Sequence, residues 1–196
     1  IQKLNLRSGS TVSQVQRLFT YIKENVVYNL QDAANEQTPY TLFRYKRSVC
    51  AGASAAFCYV LNQVGVQCIP ITVPWLSHEI CIVKIGSKWY VCDPTPTNPK
   101  GTPTLAEYFA YFLTDISTYQ ALTGRNFLAK TSYFSSSVFQ SAYPLSQTHH
   151  KLKGAVPIPS SDAGLYFCFY RNGPYGFLLT NSPGSVPGTL LYSEQL

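Results

Sequence analysis

The sequence predicts a fold that combines helices with an antiparallel sheet. Two helical patterns come first, at residues 12–25 and 50–64, and three strand-like runs follow at residues 66–73, 78–85 and 88–93. The chain has 196 residues, of which 45% are hydrophobic, and this is enough to form one well-buried domain.

The first predicted helix, residues 12–25, has apolar side chains at steps of three and four. They are Val12, Val15, Phe19, Ile22 and Val26. Thr11 and Gln14 fit a capping box, which predicts that the helix begins at this point. Residues 27–48 contain many Asn, Gln and Asp residues as well as Pro39, and we interpret them as a loop-rich connector.

The second predicted helix begins at Cys50 and ends near Val64, where Gly65 is a typical stop signal. Small residues fill its first turns, so another part of the backbone can approach the helix closely. A cysteine at a helix N-terminus lies at the positive end of the helix dipole, which favours the thiolate. Most single cysteines are nevertheless inert core residues, so Cys50 needs partners before it indicates catalysis.

The last two predicted strands supply those partners. Gly86 and Ser87 between them predict a two-residue hairpin with a type II′ turn. The resulting register places His78 and Asp93 on one face as diagonal neighbours, close enough for a hydrogen bond between carboxylate and imidazole. His78 would then take the proton of Cys50, and Asp93 would orient His78.

Alternatives to this constellation exist for each residue. His78 alone would be read as an ordinary edge residue, and Asp93 as a turn former before Pro94. His149 and His150 could offer another base, but they lie in a stretch rich in Ser and Gln that predicts no ordered partner.

The six cysteines are irregularly spaced, and no C-x-x-C pattern occurs. With only three histidines present, we expect neither a structural metal nor a cofactor. The hairpin register places Cys81 opposite Cys92 on the face away from His78. A cross-strand disulfide and a pair of packed thiols both remain open there.

The second half of the chain gives weaker patterns. A third helix is predicted at residues 104–113, and residues 131–150 read as a mobile loop or a boundary. Residues 165–170 and 175–180 look like a terminal hairpin. We therefore expect a catalytic core at 1–130 and a loop- and β-rich extension at 131–196 that packs on it.

Composition restricts the partners. The net charge is +6, yet no run of Lys or Arg exceeds two residues, so we do not expect a nucleic-acid partner. No uninterrupted apolar stretch approaches the ~18–20 residues of a membrane span. Fifteen Tyr residues and only 12% charged residues favour a secreted or cell-surface protein. Because the chain begins at Ile1 and lacks Met, we expect a processed product or a shortened chain.

Several motifs resemble those of transglutaminase-like proteins. The run Val49-Cys50-Ala51-Gly52 is similar to their nucleophile motif, V-C-x-G, at the start of a helix. The segment from His78 to Thr95 resembles their later motifs, H-x-x-x-x-V-x-x-x-x-K-W-Y-x-x-D-x-T. The likeness covers about residues 11–120, and it departs from the family pattern at Glu79, Ile80 and the pair Ala53-Ser54.

This resemblance implies an α+β, papain-like core in which the catalytic helix packs on an antiparallel sheet. It implies a thioester intermediate, with Cys50 as nucleophile, His78 as general base and acid, and Asp93 as the orienting group. The backbone N–H of Cys50 would help to bind the oxyanion, and Tyr40 would be a second donor.

The expected function is hydrolysis of a peptide or protein substrate, as a cysteine protease or deamidase. Cross-linking of glutamine to an amine and a non-catalytic binding module are the alternatives. Ca²⁺-dependent cross-linking is disfavoured because the nine acidic residues are scattered. The resemblance also favours a bacterial protein that is secreted or associated with the cell surface.

Overall fold

The computed structural model of the protein describes residues 1–73, 77–97, 100–101, 110–123, 137–147 and 150, and the backbone of three later strands. After a 3₁₀ turn at Gln2–Leu4, the helices are α1 Thr11–Asn25, α2 Pro39–Tyr45, α3 Cys50–Gln63, α4 Ile116–Thr123 and α5 Ser137–Ala142. The strands are β1 Val27–Tyr28, β2 Arg47–Ser48, β3 Cys68–Val73, β4 His78–Ile85, β5 Lys88–Cys92, β6 Val156–Ile158, β7 Leu165–Phe169 and β8 Gly176–Thr180.

Helix α1 follows its predicted bounds and buries the predicted stripe. Its N-cap, however, is Ser10, whose side chain accepts a hydrogen bond from the Ser13 backbone N–H. The capping box predicted at Thr11 is therefore wrong by one residue, because Thr11 is already helical. The buried face also includes Lys23, a charged residue on an otherwise apolar surface.

The prediction of a loop-rich connector at residues 27–48 is wrong in part. The segment contains α2 and the short parallel pair β1–β2. Thr38 caps α2, and Pro39 occupies its first turn, where a missing N–H costs no hydrogen bond. A helix of seven residues and strands of two are too short to show a hydrophobic period.

Helix α3 agrees closely with its prediction, and its close contact with another backbone segment occurs at Gly52. A Cβ at this position would lie 2.3 Å from the carbonyl oxygen of Glu36 and 2.5 Å from Ser48 Oγ. Only glycine leaves room for this approach, which fixes the start of α3 against the segment before α2. Gly65, with a φ of +83°, follows the helix.

Strands β3, β4 and β5 form an antiparallel sheet in that order. Ile85 pairs with Lys88 and Cys81 with Cys92, which is the register predicted from the turn. Gly86 has a φ of +61°, as the first position of a type II′ turn requires. The other edge of β5 is covered by bridges from Val91 to Thr114 and from Trp89 to Leu145.

Apolar side chains bury both faces of this sheet. One core cluster joins α1 and α3 to the sheet residues Cys81, Val83 and Cys92. The second cluster packs the opposite face against α4 and α5, and it contains Ile80, Ile82, Trp89, Val91, Tyr119 and Phe139. The described protein is thus a mixed α+β structure with its sheet between helices.

In the second half of the chain, the structure describes some of the predicted elements and not others. Residues 104–109 of the predicted third helix lie outside the described residues. The stretch predicted as a mobile loop or boundary, 131–150, contains α5. The backbones of β6, β7 and β8 pair as an antiparallel sheet. The division into a core at 1–130 and a packed extension at 131–196 stays a prediction.

Within the described part of the chain, no helix is long and apolar enough to cross a membrane.

Candidate active site

Cys50 is the first residue of α3, and the backbone before it is held in place. Val49 donates its N–H to the Glu36 carbonyl at 3.2 Å, and the Ser48 hydroxyl contacts the same oxygen. The first N–H groups of a helix have no hydrogen-bond acceptor within it, and they point outward from its N-terminal end. The thiol of Cys50 therefore lies at the positive end of the α3 dipole, with 8% of the residue exposed.

His78 is the first residue of β4 and is also buried, with 7% exposed. Its Nε2 lies 2.8 Å from Oδ2 of Asp93. The imidazole also makes a side-chain hydrogen bond with the thiol of Cys50. Since Nε2 faces Asp93, Nδ1 is the nitrogen left for Cys50. The structure thus brings the three predicted side chains into one connected group.

The electrostatics of this group favour the thiolate. Burial raises the pKa of Cys50, but the hydrogen bond with His78 and the backbone N–H groups of Glu79 and Ala51 act in the opposite direction. The net result is a pKa of Cys50 below its ordinary value. A thiolate beside a protonated imidazole is the reactive form of a cysteine nucleophile.

Asp93 follows β5 and is held by four hydrogen bonds, although only 1% of it is exposed. Its own N–H donates to the Tyr111 carbonyl at 2.8 Å. The Thr95 N–H donates to Oδ1 at 3.1 Å, while the Tyr119 hydroxyl donates to Oδ2 at 2.7 Å. His78 is the fourth partner. The carboxylate is therefore fixed in orientation and kept ionised.

The pKa of Asp93 reflects this environment. Burial raises it, but the hydrogen bond and charge of His78, the Lys23 ammonium and the bond from Thr95 together hold it well below its usual range. Lys23 is buried and donates from Nζ to the Thr95 carbonyl at 2.6 Å. Its ammonium also lies 5.0 Å from the centre of the Tyr111 ring.

Part of the sequence is similar to a known family. The family model of the transglutaminase-like superfamily matches residues 2–94. Residues 2–94 are thus similar to the transglutaminase-like superfamily. Cys50, His78 and Asp93 all lie inside the matched range, and the superfamily is one of cysteine-based acyltransferases and hydrolases. No curated protein matches the sequence.

One similar solved structure is described as the crystal structure of a TGase. It is 15% identical, the match covers 55% of this chain and 32% of that chain, and the TM-score is 0.46. The matched part of the protein thus spans about a third of the length of that structure's chain.

Two residues that support the site around Asp93 were missed by the sequence analysis. Lys23 follows Phe19 by four positions and so falls on the apolar stripe of α1, which was a usable signal. No pattern in the sequence pointed to Tyr119, because only the folded structure brings its position in α4 close to Asp93. Asp115, which accepts from the Thr118 N–H, marks the beginning of α4 and could have revealed that helix.

Two other candidates lie in different surroundings. Tyr40 is exposed on α2, with its ring 5.8 Å from that of Tyr45. Its predicted part in an oxyanion hole stays a prediction. His150 donates its N–H to the Leu113 carbonyl, and its ring packs edge-on against Tyr90. His149 lies outside the described residues.

The described cysteines are free thiols, so Cys81 and Cys92 face each other without a disulfide. Cys58, Cys68 and Cys81 form a buried group, the thiol cluster, whose sulfurs lie within 4.8 Å of one another. These are the atoms in the described part of the domain that could hold a metal ion. Sequence reasoning missed the cluster because its spacing matches no metal-binding motif.

Proposed function

We propose that the protein is a cysteine hydrolase that acts on a peptide or protein substrate, as a protease or a deamidase, through a thioester at Cys50. The observation that carries this proposal is the position of His78. Its imidazole is hydrogen-bonded both to the carboxylate of Asp93 and to the thiol of Cys50. A histidine that only stabilised the fold would not need a nucleophile on one side and an ionised acid on the other.

Acylation follows from this geometry. The Cys50 thiolate attacks a substrate carbonyl carbon, and the carbonyl oxygen becomes an oxyanion. The backbone N–H of Cys50, at the start of α3, is the proposed donor to this oxyanion. Protonated His78 then gives its proton to the leaving amine or ammonia. The C–N bond breaks, and the acyl group remains on Cys50 as a thioester.

Deacylation uses the same residues in reverse. Neutral His78 removes a proton from water, and the resulting hydroxide attacks the thioester. The C–S bond breaks, the carboxylic acid product leaves and releases its proton to solvent, and the thiolate–imidazolium pair is restored. Asp93 keeps Nε2 protonated and stabilises the imidazolium, so that Nδ1 faces the reacting atoms throughout.

Water is the proposed acceptor because Cys50, although buried, keeps 8% of its surface exposed at the helix N-terminus, which is enough for a molecule as small as water. Transfer to an amine requires a site that shields the thioester from water. Cross-linking of glutamine to an amine is therefore the second reading. A non-catalytic module is the third, and the connected Cys50, His78 and Asp93 side chains argue against it.

The first test is the rate at which iodoacetamide alkylates Cys50 between pH 4 and 9, followed at this residue by mass spectrometry. We expect alkylation well below the ~8.5 pKa of a free thiol. In His78→Ala the low-pH reactivity should be lost, because the imidazole no longer stabilises the thiolate. His150→Ala is the matched control and should behave like the wild type. An ordinary thiol profile that is insensitive to His78 would refute the proposal.

A second test identifies the acceptor. Glutamine-containing peptides are incubated with and without a fluorescent primary amine, and the products are separated by mass spectrometry. Hydrolysis predicts peptide cleavage or conversion of glutamine to glutamate, and neither should occur in Cys50→Ala. Incorporation of the amine as the main product would favour cross-linking instead.

We also propose that the protein is secreted or associated with a bacterial cell surface. Its low content of charged residues and many tyrosines support this. Fractionation of the producing cells, with detection by an antibody, would test it. Recovery in the cytoplasmic fraction alone would contradict it.

A further inference from the structure

We propose that Cys58 and Cys68 are a redox-modified pair that forms a disulfide between α3 and β3. This inference is independent of the proposed acyl-transfer chemistry. It concerns the thiol cluster, which takes no part in the site around Cys50.

The positions of the sulfur atoms support the pair. Sγ of Cys58 lies 2.8 Å from Sγ of Cys68 and 3.4 Å from Sγ of Cys81. A disulfide bond measures about 2.05 Å, so the first pair needs to close by less than 1 Å. All three residues are buried between α3 and the sheet.

The backbone around Cys68 fixes this geometry. The Asn62 side chain on α3 donates from Nδ2 to the Cys68 carbonyl at 2.9 Å and accepts from the Cys68 N–H at 3.1 Å. These two hydrogen bonds hold the beginning of β3 against the last turns of α3. The sulfur atoms are thus kept together before any bond forms.

A disulfide fits the cluster better than a metal ion does. Tetrahedral zinc with Zn–S distances of about 2.3 Å separates its sulfurs by about 3.8 Å, roughly 1 Å more than the distance between Cys58 and Cys68. Three thiolates and Zn²⁺ would also place a net negative charge in an apolar core. Joining two neutral thiols leaves the core uncharged.

The reaction is an exchange with a small-molecule disulfide. One protein thiol attacks the oxidant, forming a mixed disulfide and releasing one reduced thiol. The second cysteine then displaces the remaining half, which leaves as a second thiol. Two protein S–H bonds and the S–S bond of the oxidant break. One protein S–S bond and two S–H bonds on the products form.

The structure also offers access and a reactive thiol. Cys68 lines a surface cleft of about 380 Å³ together with Gln67 and Tyr143. Burial raises the pKa of Cys58, but its hydrogen bonds with the Cys68 and Cys81 thiols bring the pKa below its usual range. Cys50 lies eight residues earlier on α3, about 12 Å along the axis, so the nucleophile is spared.

The test uses the full chain, first fully reduced and then exposed to excess oxidised glutathione, both folded and during refolding from urea. Thiols are counted after unfolding in an alkylating reagent, and linked peptides are mapped by mass spectrometry. We expect Cys58 to be joined to Cys68, which removes two of the six thiols of the sequence. A mixed disulfide between glutathione and the reactive Cys50 is recognised by its mass and counted separately. Closing this short loop should raise the Tm by about 5–10 °C.

Variants separate the pair from its neighbours. Cys68→Ser and Cys68→Ala should abolish both the link and the oxidation-dependent rise in Tm. Cys92→Ser is the matched control, because Cys92 is equally buried in the same core cluster, and it should keep both. The proposal is overturned if all six thiols persist in the wild type, or if another pair is linked. Stoichiometric zinc in the isolated protein, lost in the Cys68 variants, would also overturn it.

Discussion

Replacing Tyr119 by phenylalanine removes one hydroxyl that donates to Oδ2 of Asp93 at 2.7 Å and leaves the aromatic ring in place. Both residues are almost completely buried, so water cannot take over the lost bond. A hydrogen bond to a charged acceptor contributes about 1.5–3 kcal/mol. We therefore expect Tyr119→Phe to lower the free energy of unfolding by about 1.5–3 kcal/mol at pH 7, and the Tm by about 3–10 °C.

The pH dependence distinguishes this cause from a packing defect. The pKa of Asp93 in the folded protein lies below that of an unfolded aspartate, about 3.9. Its stabilising contribution is therefore complete above the unfolded pKa and is lost as the pH falls through the folded one. Without the Tyr119 hydroxyl the folded pKa of Asp93 rises, so the difference between variant and wild type should shrink as the pH falls through the folded pKa of Asp93 in the variant.

Urea unfolding between pH 3 and 7 measures both effects. Tyr143→Phe is the control, because the Tyr143 ring packs on Trp89 at 5.3 Å in the same core cluster. It should change stability by less than about 0.5 kcal/mol. A loss in Tyr119→Phe below that limit at pH 7, or a loss that grows as the pH falls, would refute the reasoning.

Three further changes test neighbouring parts of the structure. Gly52→Ala should lower the free energy of unfolding by about 1–3 kcal/mol, even though alanine favours a helix, because its Cβ would lie 2.3 Å from the Glu36 carbonyl oxygen. Lys23→Met removes the ammonium that lowers the pKa of Asp93, so acid unfolding, followed by circular dichroism, should begin at a higher pH. Asp93→Asn should reduce turnover of the peptide substrate by about 10²–10⁴-fold, measured in steady-state assays, because Nε2 of His78 loses its ionised partner.

Each of these changes has its own control or contrary outcome. Gly101→Ala adds a methyl group where nothing lies within 4 Å, so it should be nearly neutral, and an equal loss there would contradict the steric argument for Gly52. If acid unfolding of Lys23→Met begins at the same pH as that of the wild type, the charge of Lys23 does not act on Asp93. Full activity of Asp93→Asn with an intact fold would remove Asp93 from the proposed mechanism.

The sequence predicted the parts of the fold that have long, regular patterns. Helices α1 and α3 each span about four turns and bury a continuous stripe, and Gly86 fixed the register of β4 and β5. Because that register carries His78 and Asp93, their proximity could be deduced from local rules alone. Cys50 could be identified as a candidate nucleophile from its position at a helix N-terminus and from the motif around it.

What the sequence could not predict depends on contacts between distant segments or on very short elements. Strands β1 and β2 have two residues each, too few to show a period. Tyr119 reaches Asp93 across 26 positions of the chain, and the three thiols of the cluster come from α3, β3 and β4. Only the packed structure brings these groups together.

The hydrogen bonds of Asp93 bear on how far the domain can be shortened. The superfamily match ends at residue 94, yet the Tyr111 carbonyl and the Tyr119 hydroxyl that hold Asp93 come from later in the chain. A gene fragment cut at the end of the match would still encode Cys50, His78 and Asp93, but Asp93 would lose three of the four hydrogen bonds described above, those with Thr95, Tyr111 and Tyr119. The shortest fragment of this protein that keeps these hydrogen bonds therefore extends beyond the matched residues, to α4 at least.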